Sequence, residues 1–273
     1  MKLRHLLAVS LAVIFATSPG TQSQAGVPDL AAWTFGSVAT RIENSSEWKV
    51  NLGAGLGIGA DYVGSDDFTA HTLPVVDIEW RGAYFLSTQR GLGLNLIRNR
   101  QTKAGPRLTW SAGRKASVNT ALAGMGDLDP SIEGGAFIQH YSGPWRFEAD
   151  LRYGLNSAGH KGFVGSTSLA LGGQLSENSN MILGASTTYG SSAYMKAHFG
   201  VTTAQAVNGR VAYEPTAGFE NFAGFATFIY NINKQIYLTI DGRAALMMDQ
   251  AANSPLVQAS DQYFLGSTVG YRF

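Results

Sequence analysis

Residues 145–153 read Trp-Arg-Phe-Glu-Ala-Asp-Leu-Arg-Tyr and decide the fold, because apolar and charged side chains alternate strictly along them. One parity holds Trp145, Phe147, Ala149, Leu151 and Tyr153, and the other holds Arg146, Glu148, Asp150 and Arg152. A two-residue period is that of a β-strand, here with one apolar face and one charged face. Two architectures suit such a strand. In a soluble sandwich the charged face meets water, whereas in a membrane barrel the apolar face meets lipid and the charged face a polar lumen.

The composition favours the barrel over the soluble sandwich. Charged residues make up 14% of the 273-residue chain, against about 25% in an average soluble domain. The formal net charge is +1, which gives no electrostatic reason to expect nucleic acid as a partner. The sequence contains no cysteine, so a disulfide framework and a thiolate metal site are excluded.

The N-terminal 25 residues are typical of a secretory signal peptide. Lys2 and Arg4 precede the apolar run Leu6–Ala16, and Ser23–Ala25 resembles a cleavage site. The apolar run is too short for a membrane-spanning helix, which needs about 20 residues. We therefore expect an exported protein that is either soluble or a barrel in the outer membrane of a Gram-negative cell. Residues 26–47 show no clear period and are interpreted as a periplasmic leader segment, followed by the barrel at 48–273.

From Trp48 onward, alternation predicts an all-β chain folded as a transmembrane, antiparallel, up-and-down β-barrel of about twelve strands. The predicted strands are Trp48–Tyr62, Thr72–Arg81, Ala83–Thr88, Leu92–Arg98, Ala104–Arg114, Ser131–Tyr141, Trp145–Leu155, Gly162–Leu175, Met181–Tyr189, Ala217–Ile232, Ile236–Met248 and Gln262–Phe273. If Gln89–Gly91 is not a turn, the count drops to ten. In the first strand, Trp48 and Tyr62 end the predicted lipid face. Four glycines on the other face suggest close packing of lumen side chains or local bending.

The predicted connections alternate in length. Short ones are 81–83, 99–103, 142–144, 176–180 and 233–235, and long ones are 63–71, 115–130, 156–161, 190–216 and 249–261. Bacterial outer-membrane barrels have short periplasmic turns and longer outer loops, so this alternation predicts which end faces outward.

Charged side chains on the parity opposite to the apolar face are predicted to face the lumen. These are Asp77, Glu79, Arg146, Glu148, Asp150, Arg152, Asp241 and Arg243. They either line a solute pathway or fill the lumen as ion pairs, since about twelve strands lie between the filled eight-stranded barrels and the open porins. The last strand ends at Tyr271 and Phe273, and a terminal aromatic residue on a lipid-facing strand resembles the signal read by the barrel-assembly machinery.

Several stretches of the mature chain resemble the MipA/OmpV family, named for the MltA-interacting protein of Gram-negative outer membranes. The matching stretches are Ala60–Phe68, Leu73–Asp77, Phe85–Leu96, Gly124–Asp129, Gly143–Arg146, Ser254–Val257 and Gly270–Phe273. They cover nearly the whole mature chain in order. The chain departs from the family at Ala60, where proline is frequent, and this affects only the stiffness of the first outer loop.

The resemblance implies an outer-membrane barrel, in contact with lipid and lipopolysaccharide, that acts as a scaffold between a murein hydrolase and a murein synthase. The implied partners are a lytic transglycosylase and a penicillin-binding murein synthase, and no catalytic residue, cofactor or metal is implied. Two other functions stay open: a narrow solute channel through the lumen, and an adhesin that works through the outer loops 115–130 and 190–216.

Two smaller patterns resemble chemical sites. His140 and Ser142 share a strand face, as base and nucleophile do in outer-membrane phospholipases, but Ser142 begins a turn predicted to be periplasmic. The acidic pairs Asp66-Asp67 and Asp127-x-Asp129 offer oxygens for calcium, but aspartate is more often a turn residue. The histidines of the mature chain show no metal-ligand spacing, and His71 and His160 fall in predicted loops. The sequence thus predicts no catalytic, cofactor or metal site.

Overall fold

The computed structural model describes residues 47–156, 159–207 and 209–273. The predicted signal peptide and, apart from Glu47, the predicted leader segment lie outside these residues. The described residues form thirteen strands. They are β1 Trp48–Ala60, β2 Phe68–Trp80, β3 Tyr84–Ser87, β4 Gly91–Leu94, β5 Ile97–Arg98, β6 Thr102–Ser111, β7 Ser131–Ser142, β8 Trp145–Gly154, β9 Phe163–Ser176, β10 Ser179–Gly190, β11 Gly218–Asn231, β12 Ile236–Met247 and β13 Asp261–Arg272. None of the helices in the described part of the chain is long and apolar enough to span a membrane.

The sheet closes into a barrel. β1 pairs with β2 on one side and with β13 on the other, and β4 pairs with both β3 and β6. Twelve strands therefore form the ring, and the two-residue β5 is a small extra pairing along β6. Every neighbouring pair is antiparallel, which confirms the predicted up-and-down barrel.

The doubtful connection after β3 is a turn, so the barrel has twelve strands rather than ten. β3 and β4 are only four residues long and are joined through residues 88–90. Gly91 follows with a φ of 79°, a left-handed conformation that glycine adopts at little cost. The turn lies within the barrel wall and not at its outer end, because Ser87 pairs with Asp77 in the periplasmic part of β2. These two short strands explain the one break in the predicted alternation.

The remaining connections alternate in length as the sequence predicts. At the outer end the connections are 61–67, 112–130, 155–162, 191–217 and 248–260. At the opposite, periplasmic end they are 81–83, 95–101, 143–144, 177–178 and 232–235, and β5 lies within the second of these. The first and last strands also begin and end at the periplasmic end, which is the arrangement of bacterial outer-membrane barrels.

The two faces of β8 have the environments that its alternation predicts. Trp145, Phe147 and Leu151 are exposed on the outside of the barrel by 47%, 42% and 56%. Arg146 and Glu148, on the opposite face, are buried. Exposed apolar side chains on the outside and buried charges inside are the reverse of a soluble sandwich, so the outer face is the one that meets lipid.

Aromatic side chains form a band at each end of this outer face. The periplasmic band includes Trp48, Trp80, Tyr84 and Trp145, and the outer band includes Trp110, Tyr153, Phe163, Tyr189, Phe219 and Tyr263. Neighbouring strands bring the rings together: the centroids of Trp48 and Trp80 are 5.9 Å apart, and those of Tyr189 and Phe219 are 5.3 Å apart. Such bands mark the two membrane–water interfaces.

Two features near the outer end of β1 and β2 differ from the sequence expectation. The first strand ends at Ala60 instead of Tyr62, and Tyr62 is fully buried beneath the outer loops instead of ending the lipid face. His71 lies in β2 and not in a loop, where its Nε2 is 3.2 Å from the carbonyl oxygen of Ala60. Alternation continues through Tyr62 in the sequence, but the chain turns inward at Asp61 because tertiary contacts bury the tyrosine.

The glycines of β1 allow large lumen side chains to pack against the strand. A Cβ added to Gly57 would lie 2.5 Å from Cζ of Phe264, and one added to Gly55 would lie 2.1 Å from the carbonyl oxygen of Ser267. No real side chain fits at such distances without a shift of its neighbours. The expected close packing inside the lumen is therefore confirmed.

Short helices occur in three of the outer connections. Helix α1, Ser192–Phe199, and the 3-10 helix Thr203–Gln205 lie within 191–217, and helix α2, Asp249–Ala252, lies within 248–260. Two further 3-10 helices, Ala116–Val118 and Thr120–Leu122, lie within 112–130. These helices place the side chains that cover the outer mouth of the barrel.

Candidate functional site: the lumen network and the outer cap

A first cluster of charges lies in the lumen toward the periplasmic end. Arg90 Nη2 donates to Oδ1 of Asp77 at 2.6 Å, and Lys103 Nζ is 3.0 Å from Oε2 of Glu79. Arg90 Nη1 is also 4.0 Å from Oε2 of Glu79, and its guanidinium lies over the ring of Phe85. Both predicted acids, Asp77 and Glu79, are therefore buried in ion pairs.

A second cluster surrounds Arg107 at mid-height. Arg107 Nη2 donates to Oδ2 of Asp150, and its Nη1 is 3.9 Å from Oε1 of Glu148. Gln139 Nε2 donates to the second oxygen of Glu148 at 2.8 Å. Arg146, from the same strand face as Glu148, is 5% exposed. The buried carboxylates are thus held by donors from several strands.

A third cluster links the lumen to the outer loops. Arg152 Nε donates to Oδ1 of Asp150 at 3.0 Å, and its Nη1 donates to Oε2 of Glu133 at 2.8 Å. Thr109 donates its hydroxyl to the same oxygen of Glu133, and His160 Nε2 is 2.8 Å from the other. Because His160 belongs to the connection 155–162, the lumen network continues into a loop.

The side of the lumen formed by β9 to β12 is less charged. Ala170, Ile182, Phe225 and Ile229 pack there as a buried apolar cluster. Asp241 accepts hydrogen bonds from the hydroxyls of Thr227 and Thr239 at 2.8 and 3.0 Å. Arg243 Nη2 donates to Oδ1 of Asn221 at 3.0 Å. In these contacts Asp241 and Arg243 have polar, uncharged partners, in contrast to the ion pairs of the other side.

The burial of the predicted lumen charges indicates whether a solute can pass through the barrel. Asp77, Glu79, Arg146, Glu148, Arg152 and Asp241 are each exposed by 6% or less. Side chains that line a water-filled pore are accessible to solvent, whereas charges withdrawn from water need partners at close range. The lumen at the level of these residues is therefore filled by side chains.

The outer mouth is covered by what we call the cap, the connections 61–67, 112–130, 191–217 and 248–260. Their apolar side chains form one buried cluster made of Tyr62, Leu122, Met125, Val201 and Leu256. Each of the four connections contributes at least one member. The cluster therefore holds the four loops together as one layer.

A second apolar cluster of the cap lies against the barrel rim. Met195 and Phe199 of α1 and Ala251 of α2 pack with Met247, the last residue of β12. Ser254 donates its hydroxyl to the carbonyl oxygen of Phe199 at 2.7 Å. Cap and barrel are thus joined by apolar contacts as well as by the lumen network.

Hydrogen bonds join the same loops. The hydroxyl of Tyr62 is 2.8 Å from the carbonyl oxygen of Leu256. The hydroxyl of Tyr213 donates to the backbone carbonyl oxygen of Gln250 at 2.8 Å. Asn119 Nδ2 donates to Asp61 and Asp67 at 3.0 and 2.9 Å. Burial raises the pKa of Tyr62, so its hydroxyl stays protonated and able to donate.

His198 lies where the cap meets the lumen network. Its ring stacks on Tyr194 with centroids 4.2 Å apart and lies 5.5 Å from the ring of His160. Burial lowers the pKa of His198 to about 4, so its imidazole is neutral at pH 7. Tyr194 donates to Oε2 of Glu220 at 2.7 Å, and its burial raises the pKa of the phenol.

The smaller predicted sites have other partners in the structure. His140 Nδ1 is 2.9 Å from Oγ1 of Thr102, and Ser142 is exposed at the end of β7. Asp67 accepts from Asn119, and Asp127 accepts from the backbone N–H of Ala116 at 2.8 Å. Within 47–156, 159–207 and 209–273, no three His, Asp or Glu side chains come close enough together to hold a metal ion.

Several partners of the predicted lumen charges were missed from the sequence. Arg107 and Glu133 lie on strands and oppose the parity of the exposed Leu108 and Ile132, so the alternation contained a signal for them. Arg90 and His160 come from connections, where no period indicates direction. Only the closed barrel shows that these two side chains enter the lumen.

Comparison with known proteins gives a family match over most of the chain. Residues 52–273 match the family described as MltA-interacting protein MipA. The outer membrane protein Omp26La of Vibrio anguillarum is 32% identical over 86 residues, and OmpV of Vibrio cholerae serotype O1 is 31% identical over 86 residues. These alignments cover 32% of this chain and 33% of each relative, so the chain matches about a third of their length.

Among solved structures, the barrel is similar to outer-membrane proteins at low sequence identity. An outer membrane channel from Pseudomonas putida F1 aligns with a TM-score of 0.44 and 7% identity, over 84% of this chain and 97% of that one. A bacterial polysaccharide outer membrane secretin aligns with a TM-score of 0.43 and 9% identity, over 82% and 98%. Likenesses at this level carry no argument about function.

Proposed function

Because the chain belongs to the family of the MltA-interacting protein MipA and is an outer-membrane β-barrel, we propose that it acts as a structural scaffold for peptidoglycan-remodelling enzymes. The proposed partners are a lytic transglycosylase, which is a murein hydrolase, and a penicillin-binding murein synthase. In this proposal the barrel anchors both enzymes at the periplasmic end and performs no chemistry itself.

The filled lumen is the observation that supports a structural role over a solute channel. The charges that would select a solute are held by one another: Arg107 is 3% exposed and pairs with Asp150 and Glu148. Breaking such a pair leaves a buried charge without a partner, at a cost of about 3–5 kcal/mol. A solute would have to displace several of these pairs and then cross the apolar cap.

The periplasmic end offers a surface for protein partners. Its turns expose four cations, Arg81, Arg98, Arg100 and Lys234. Arg81 pairs with Glu47 at 2.5 Å, and Glu177 is a further exposed acid at this end. A basic rim steers a partner with an acidic face and aligns it with the barrel. We therefore expect the enzyme surfaces that dock here to be acidic.

Binding measurements with purified proteins test the scaffold. The mature protein, immobilised in nanodiscs, is expected to bind both an MltA-type lytic transglycosylase and a penicillin-binding murein synthase. Replacing Arg98 and Arg100 by glutamate should weaken binding by about tenfold or more, because two attractive charges become repulsive. Lys161→Glu, at the outer end, is the matched control and should leave the affinity unchanged.

Enzyme binding and the filled lumen are tested by separate outcomes. If neither enzyme binds the wild-type barrel, the scaffold role is wrong. Conductance in planar bilayers tests the filled lumen separately: no single-channel steps are expected, and sustained steps would favour a solute channel instead.

A further inference from the structure

A cavity of about 530 Å³ lies in the cap between the connections 112–130 and 191–217. Among its lining residues are Arg114, Met125, Lys196, Val201, Tyr213 and Glu214. Its rim includes the exposed side chains of Lys196 and Glu214, so the cavity opens at the outer surface. The volume is in the range of sites that bind small molecules, about 300–1,000 Å³.

Arg114 supplies a buried positive charge to this cavity. The residue is 9% exposed, its Nη1 donates to the carbonyl oxygen of His198 at 2.9 Å, and its buried Nε has no hydrogen-bond partner. Within the described residues it forms no ion pair with a carboxylate. Burial lowers the pKa of its guanidinium, and no carboxylate offsets the loss of water. Buried arginines are normally paired, so this one lacks a counter-charge.

The other charges of the cavity are either paired or exposed to solvent. Lys196 Nζ pairs with Oε1 of Glu214 at 2.5 Å. Asp127 is exposed and accepts the backbone N–H of Ala116. Arg114 is therefore the one buried charge without an ion-pair partner among the described lining residues of the cavity. Met125 and Val201 give the same space an apolar wall.

We propose that this cavity binds a small organic molecule that carries one carboxylate group. The carboxylate accepts hydrogen bonds from the guanidinium of Arg114, and the apolar part of the molecule lies against Met125 and Val201. Guanidinium groups bind carboxylates through two parallel N–H···O bonds, which gives both charge and geometric complementarity. One buried cation matches one negative charge.

Calorimetric titration of the full mature protein in nanodiscs with benzoate and with benzamide tests this site. The two probes have nearly the same shape and differ in charge. Benzoate is expected to bind about tenfold or more tightly than benzamide, because only benzoate supplies the counter-charge. Equal affinities, or no binding of benzoate, would overturn the proposal.

Variants locate the binding. Arg114→Gln should abolish the preference for benzoate. Lys161→Gln, which removes an exposed outer charge that does not line the cavity, should leave it unchanged. Because Arg114 also holds the carbonyl group of His198, Arg114→Gln could loosen the cap. Ala212→Trp therefore serves as a second variant that fills the cavity and keeps Arg114. Benzoate binding that survives in Ala212→Trp would contradict the assignment.

Two further experiments identify which kind of anion the cavity binds. If inorganic phosphate displaces benzoate at lower concentration than acetate does, the site is a phosphate site and the carboxylate assignment is wrong. Benzoate binding that is lost in nanodiscs containing lipopolysaccharide, but kept in phosphatidylcholine nanodiscs, would support the anion site and identify the lipid as the source of its carboxylate.

Discussion

The barrel and its cap close the same lumen by opposite physical means. Inside the barrel, Arg107 of β6 and Asp150 of β8 are buried and paired across β7, the strand that is hydrogen-bonded to both of theirs. In the cap, Leu122, Val201 and Leu256 are buried by apolar contacts between loops. Loss of a lumen pair should thus weaken the whole barrel, whereas loss of a cap contact should open the loops and leave the barrel folded.

The largest effect on the barrel is expected from Arg107→Met. The substitution leaves Asp150 and Glu148 without one of their cations, so the free energy of unfolding should fall by about 3–5 kcal/mol. Urea-induced unfolding of the protein in lipid vesicles, followed by tryptophan fluorescence, measures this change. Arg98→Met removes an exposed arginine at the periplasmic end and should have little effect. If Arg107→Met lowers the free energy of unfolding by less than about 1 kcal/mol, the contrast between lumen ion pairs and cap contacts is wrong.

In the cap, Leu122→Ala should have a large but local effect. Leu122 is fully buried, and truncation of such a leucine costs about 2–5 kcal/mol. We expect faster amide hydrogen exchange throughout the four cap connections, with unchanged exchange in the strands and an unchanged urea midpoint of the barrel. Leu96→Ala, at a leucine that is 72% exposed, is the matched control. A lower barrel midpoint for Leu122→Ala would mean that cap and barrel unfold as one unit.

Acid should loosen the cap gradually. The pKa of His198 is lowered by burial to about 4, whereas an exposed histidine has a pKa near 6.5. Between these values an opened cap binds a proton that the closed cap does not, so the closed cap loses stability as pH falls from about 6.5 to about 4, by at most about 1.4 kcal/mol per pH unit. At higher pH the contribution is constant.

Hydrogen exchange of α1 as a function of pH, corrected for intrinsic rates, measures this loss. His160, Glu133 and Arg114 also face the ring of His198, so His198→Gln is needed to isolate its contribution. The variant should show a flatter dependence in the same window. An identical pH dependence in wild type and variant would show that another group controls the cap.

The sequence predictions were more accurate for the strands of the barrel than for the cap and the lumen contacts. Strands were predicted well because alternation is a local signal that survives in any strand with one lipid face and one lumen face. Trp145 and Arg146 fall on opposite faces for that reason alone. The prediction was wrong for Tyr62, because a strand pattern says nothing about where tertiary contacts bend the chain inward. The partners of the lumen charges depend on strand register and on loops that enter the lumen, and sequence alternation gives neither.

The sequence by itself determined the up-and-down β-barrel of ten or twelve strands, the outward face of Trp145, Phe147 and Leu151, and the end that carries the long loops. The physical reason is that lipid on one side and a confined lumen on the other impose a period of two on every strand. Only the tertiary structure decided that Arg146, Glu148 and Arg152 are buried and that four loops cover the outer mouth. Ion pairs between distant strands and apolar contacts between loops depend on distances in space, and no local pattern encodes them.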